Sequence, residues 1–225
     1  MKRKIVLAMS LLLLTAGSVR AAEHRIEALD EPAPADALAK PIADTLEPTG
    51  YRIIEGESRT VCDVWLCKSW EVQPGFSPSL QVLYPFKQGQ LIGAIRYPRS
   101  GNDFRDQQIP KGVYTLRYAL QPVDGNHVGT SPTRDFLLVV EAGQDKTVEP
   151  VDPLELQILS AEAVGSAHPA MLCLQPTDSK PESLPSMQHN ESQEWWIASM
   201  MGKASAGDQT SDQLLRVIVA GVAME

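Results

Sequence analysis

Asp124 and His127 place a carboxylate and an imidazole at i and i+3 inside the loop Gln121–Arg134, QPVDGNHVGTSPTR. A neutral imidazole can ligate a divalent metal or carry a proton, and a neighbouring carboxylate orients it. With Asp106 as a second acid, these residues define one candidate chemistry, a metal-dependent or acid/base hydrolase-like site. His168 is a further candidate metal ligand. The competing reading is an Asx-type turn. Asp124 and Asn126 can bond their own backbone, and Gly125 can take a positive φ. His127 would then pack over the turn as a structural group. The spacing favours the turn, because a protein metal site takes three or four ligands and the loop supplies two.

A second constellation surrounds the first. Arg96, Arg99, Asp103, Arg105, Asp106, Arg117, Asp124, Arg134 and Asp135 all fall close to this loop in sequence. Arg117 sits in mid-strand between apolar neighbours, and Asp135 opens the strand expected to pair with it. A guanidinium beside a carboxylate makes two parallel, charge-assisted hydrogen bonds. Such pairs either fix loop and register or line an anion-binding pocket. Arginines already engaged by acids have few donors left for a ligand, which favours the structural role. The ligand-binding candidates are therefore Asp106, Arg117, Asp124, Asn126, His127, Arg134 and Asp135. The metal candidates are His127, Asp124 and His168, and the only cofactor the residues suggest is a divalent metal, if any.

Other chemistries leave no trace. The chain has no HExxH, CxxC, GxSxG, P-loop or GxGxxG pattern, which argues against an enzyme. Trp65, Trp70, Trp195 and Trp196 could offer a sugar-stacking face, as in a carbohydrate-binding module. Adjacent tryptophans in a strand point opposite ways, so packing is the simpler role for most of them.

These residues must be positioned by strands. Tyr114, Leu116, Tyr118 and Leu120 share one face of GVYTLRYAL, with Thr115 and Arg117 on the other. Phe136–Val140 (FLLVV) is apolar on both faces, so it belongs in the interior of a sheet. Tyr51–Ile54, Val61–Val72, Leu80–Pro85, Leu91–Tyr97, Pro169–Leu174, Glu194–Met200 and Leu214–Ala223 read as further strands. KQGQ at 87–90 reads as a hairpin turn between two of them, and Leu154–Gln157 as a short helix or turn. Short strands punctuated by Pro and Gly predict an antiparallel β-sandwich, jelly-roll or immunoglobulin-like, over residues 51–225.

The string GVYTLRYALQP…DGNH…RDF, preceded by LIGAIRYP and DFRDQQIPKG, resembles a family of uncharacterised exported bacterial proteins. The likeness is good over Tyr51–Asp145 and loose beyond. It implies export and a β-rich fold, and no chemistry, since that family has no assigned activity.

The N-terminus independently reads as an export signal. Lys2, Arg3 and Lys4 precede an apolar run to Gly17, and Val19 and Ala21 are small residues suited to cleavage after Ala21. The run is short for a membrane span, which needs about 20 apolar residues. The expected location is periplasmic or extracellular. Losing the four basic residues of the leader lowers the formal charge of −8 by four, to −12. So acidic a chain argues against nucleic-acid and membrane-surface partners, which both reward basic patches. Residues 22–50, rich in Pro, Ala and acids and without aromatics, read as a disordered linker. Cys62 and Cys67 would lie about 16 Å apart along one strand, too far for a bridge. Cys173 is then the partner for either, or all three are small buried apolar residues. The expected function is a non-enzymatic module that binds a protein, a small ligand or a carbohydrate.

Overall fold

A computed structural model describes residues 23–223 apart from 126, 128 and 179. The expected leader over 1–21 lies outside the described residues. In chain order the elements are β1 (His24–Leu29), α1 (Lys40–Thr45), β2 (Gly50–Glu55), β3 (Arg59–Leu66), β4 (Trp70–Glu71), β5 (Leu91–Tyr97), β6 (Gly101–Asn102) and β7 (Gln108–Ile109). There follow β8 (Gly112–Leu120), β9 (Asp135–Glu141), α2 (Pro153–Ala163), β10 (Met171–Cys173), β11 (Ser186–Asn190), β12 (Trp195–Ala206) and β13 (Gln209–Ala220).

The chain is an all-β sandwich. Its large sheet runs β1-β2-β3-β5-β8-β9-β10, its small sheet β11-β12-β13 with β4 added to β12, and β6-β7 is a separate ribbon. The large sheet is a meander of antiparallel neighbours, where a jelly-roll or immunoglobulin arrangement would interleave strands by Greek-key crossings. Alternate residues of β3, β5, β8 and β9, such as Val64, Ile95, Leu116, Leu137 and Val139, meet Ala198, Met200, Leu215 and Val217 of the small sheet in one core. The sheets join on one side by a bridge between Leu174 and Val217. On the other side the ring of His24 lies 4.9 Å from that of Trp196.

The doubly apolar β9 is covered on both faces. Leu137 and Val139 face the main core, while Phe136, Leu138 and Val140 join a second core with Leu156 of α2, Phe104, Trp195 and Ile218. Helix α2 is longer than the expected turn. Asp152 caps it, accepting from the backbone N–H groups of Leu154 and Glu155, and Pro153 occupies its first turn.

Residues 22–50 are not a disordered linker where they are described. All six residues of β1 pair with β2. Leu29, Leu38, Ile42 and Leu46 are buried, and Trp65 Nε1 donates to Glu31 O at 2.8 Å. The segment lacks an aromatic of its own because β3 supplies one, so its sparse aliphatics suffice to anchor it. Two strand expectations also change. Val61–Val72 breaks into β3 and β4. Leu80–Pro85 forms no strand, so KQGQ is not a hairpin turn between strands. Gly89 of that turn has φ 80°, and a Cβ there would lie 1.8 Å from Val151 O, so only glycine fits.

Candidate functional site

Arg117 is a structural residue. It is fully buried and forks onto Asp145, with Nε to Oδ2 at 2.6 Å and Nη2 to Oδ1 at 2.8 Å. Its remaining N–H groups donate to the carbonyls of Gly89, Glu149 and Thr147. All five guanidinium protons are thus engaged. Thr115 adds its hydroxyl to the same carboxylate at 2.5 Å. The partner expected for Arg117, Asp135, is engaged elsewhere. Asp135 is buried and accepts from the backbone N–H of Leu83 and Tyr84 and from Tyr118 OH. Burial raises its carboxyl pKa above the ordinary value, and the hydrogen bonds from Tyr118, Leu83 and Tyr84 act against that rise. Asp135 thereby holds the non-strand segment around Leu83 against β8.

The loop Gln121–Arg134 is closed at its base. Arg134 donates through Nε and Nη2 to Gln121 O at 3.0 and 2.8 Å, and the Gln121 N–H returns to Arg134 O at 2.7 Å. Inside it His127 Nδ1 lies 2.7 Å from Asp124 Oδ1, and the Thr130 hydroxyl donates to His127 O. Asn126, the remaining loop candidate, lies outside the described residues. His168 sits on the surface with Nδ1 accepting from Arg105 Nη1 at 2.7 Å. Burial lowers its pKa, and the Arg105 guanidinium and His127 lower it further. The structure thus brings His127 and His168 into one electrostatic neighbourhood. The nearest charged companion of His168 is Arg105 and that of His127 is Asp124, however, and no three His, Cys, Asp or Glu among the described residues gather as metal ligands.

The remaining candidates lie inside. Cys62, Cys67 and Cys173 are buried free thiols. Burial pushes the Cys67 thiol up to about 12 and raises the other two as well. Trp65, Trp70 and Trp195 are buried. Trp196 is half-buried between His24 and His189, whose ring stacks on it at 4.2 Å. The described surface therefore presents no row of exposed indoles.

The described residues form a cleft of about 340 Å³ at the end of the sandwich. Three separate stretches wall it: the β2–β3 turn with Glu55, Arg59 and Thr60, the 99–106 loop, and the end of β13 with Val219–Val222. His24 of β1 adds a fourth side. The buried Asp103 carboxylate organises the loop, accepting from the N–H groups of Arg105, Gln107 and Met171 and from Gln107 Nε2. Asn102 donates to Asp106 Oδ1. Asp106 takes φ 62°, a left-handed conformation that Asp adopts more readily than most residues and that is enriched at functional sites. On the opposite turn Arg59 pairs with Glu55.

Arg99, exposed on the cleft wall, makes no hydrogen bond or ion pair with any described residue. Every other described arginine has a partner: Arg25 with Glu27, Arg52 and Arg96 with Asp63, Arg59 with Glu55, Arg105 with His168, Arg117 with Asp145, Arg134 with Gln121 and Arg216 with Gln188. Of the sequence candidates, only Asp106 lines the cleft. Arg99 and Asp103 belong to the charge cluster legible in sequence, but Glu55, Arg59 and Val219–Val222 carried no signal. Only the packing of the two sheets brings the β2–β3 turn, the loop after β5 and the end of β13 to one end.

No family model, curated protein or solved structure matches this chain.

Proposed function

We propose that this chain is an exported, non-enzymatic β-sandwich that binds a small polar ligand in the terminal cleft. The observation that carries the reading is Arg99, a guanidinium held in a concave site with none of its donors committed to a described residue. A planar fork of this kind recognises carboxylate and phosphate oxygens. The volume falls within the range of small-molecule sites. The export part rests on the leader-like N-terminus.

The hydrolase reading, centred on Asp106, Asp124 and His127, has less support. Asp124 and His127 satisfy one another in an exposed turn, and Asp106 belongs to the cleft. The test of the binding reading is a thermal-shift screen of purified protein against a library of small polar metabolites, repeated with Arg99→Ala. Stabilisation by at least one compound, lost in the variant, is expected. A library with no Arg99-dependent stabiliser would overturn the reading.

A second reading, a protein partner, is favoured by a different observation. Leu80 and Val123 are 94% and 79% exposed on two loops that Arg134 ties together. Such large exposed aliphatics at one tip are the kind of residue that interfaces bury.

A further inference from the structure

Within the ligand-binding reading, on which this step rests, we infer that the cleft is built for a zwitterion of amino-acid or dipeptide size. The lining carries two kinds of unsatisfied charge. Arg99 has no partner among the described residues, and Asp106 uses Oδ1 to accept from Asn102 while no described donor reaches Oδ2. Both residues line the same cleft, and no ion pair joins them. A cation and an anion in one small cleft would close on each other if the backbone allowed it. Here it does not. Asp106 is fixed by its left-handed backbone, by the Asn102 bond and by the N–H bond it makes to Asp103 O. Arg99 precedes the open end of the β6–β7 ribbon and Asp106 lies in its turn, with the Gly101–Ile109 and Asn102–Gln108 pairs between the two positions.

The charge balance of the walls selects among ligands. Arg59 and Glu55 neutralise each other across the turn. Asp103 is buried and saturated. What faces the cleft is one open positive group and one open negative group. A dianion such as phosphate would meet Asp106 with its second charge, and a simple cation would meet Arg99. A molecule with a carboxylate at one end and an ammonium at the other satisfies both, the carboxylate on the Arg99 fork and the ammonium on Asp106 Oδ2.

Calorimetry on the whole protein tests this with L-alanine, L-alanyl-L-alanine, N-acetyl-L-alanyl-L-alanine, L-alanyl-L-alanine amide and inorganic phosphate. At least one zwitterion should bind. Its acetylated and amidated analogues should each bind about tenfold or more weaker, the loss of one charge-assisted hydrogen bond. Arg99→Ala should abolish the penalty for amidation, and Asp106→Asn the penalty for acetylation. Asn tolerates the left-handed conformation, so Asp106→Asn keeps the loop in shape. Equal binding of capped and uncapped forms would overturn the inference. So would Arg99-dependent binding of phosphate alone, which would leave the ligand-binding cleft standing. If no probe binds and the metabolite screen finds no Arg99-dependent stabiliser, both fall.

Discussion

Arg117 and Arg99 flank the same stretch of chain and meet opposite ends. Arg117, in the middle of β8, is buried with every proton donated to Asp145 or to a backbone carbonyl. Arg99, just past β5, faces a cleft with none donated to a described residue. Both belong to the same run of alternating basic and acidic residues, so charge content does not separate them. Partner geometry does. A buried guanidinium is tolerated only when its charge is paired and its donors satisfied. A guanidinium at a cleft has water to satisfy it until a ligand displaces that water. Saturation therefore marks scaffold, and uncommitted donors mark the place where something else can bind.

The sharpest way to break this contrast is to unpair the buried member. Asp145→Ala leaves Arg117 charged and enclosed, and should cost about 3–5 kcal/mol in urea unfolding. Replacing the pair by Arg117→Met and Asp145→Leu together should recover only part of that loss, because the carbonyls of Gly89, Thr147 and Glu149 lose their donor. A double variant as stable as the parent would show that the knot fixes nothing.

A smaller effect is expected at Asp135. Its folded-state pKa is raised by burial, so between the ordinary value near ~3.9 and that raised value the folded chain holds the proton more tightly than the unfolded chain. The contribution of Asp135 to stability therefore falls as pH rises through this window. Asp135→Asn should remove the slope: the advantage of the parent over the variant should grow as the pH is lowered from neutral towards 4. An advantage that shrinks on acidification would mean that the ionised form is the favoured one.

Thiol chemistry probes the same saturated interior. With all three cysteines buried and their ionisation suppressed, Ellman's reagent at pH 8 should leave the native protein untouched and titrate all three thiols after unfolding. Rapid labelling of any one in the native state would show an interior more open than described. The smallest effect belongs to the cleft. Arg99→Ala should change stability by no more than about 0.5 kcal/mol, as for a surface residue without partners. A larger loss would place Arg99 with the scaffold.

Much of the scaffold could be read from residue order. Alternation in Gly112–Leu120 and the doubly apolar Phe136–Val140 identified β8 and β9, because burial on one or both faces leaves a period that survives without neighbours. The structural role of Arg117 was legible from a charge set among apolar residues. Its partner was not, since Asp145 lies in the turn after β9, and only the pairing of β8 with β9 brings it to Thr115 and Arg117. The segment 22–50 looked disordered because its anchor, Trp65, stands on another strand. Helix α2 was legible only at its capped start. Leu154 and Ile158 are exposed while Leu156 and Ser160 are buried, so the helix shows no apolar stripe. Of the cleft only the charged loop with Arg99, Asp103 and Asp106 was legible, because its other walls come from distant stretches with no shared motif.

His24 and Val222 line the same cleft. The described chain therefore ends close to where it begins, and its path is nearly a closed ring with the cleft at the join. A short Gly/Ser tether could link those ends, and new termini could be opened at Gly129, an exposed position at the far edge of a loop tied shut by Arg134. Such a permuted chain would keep every strand pairing while placing a covalent strap across the cleft mouth.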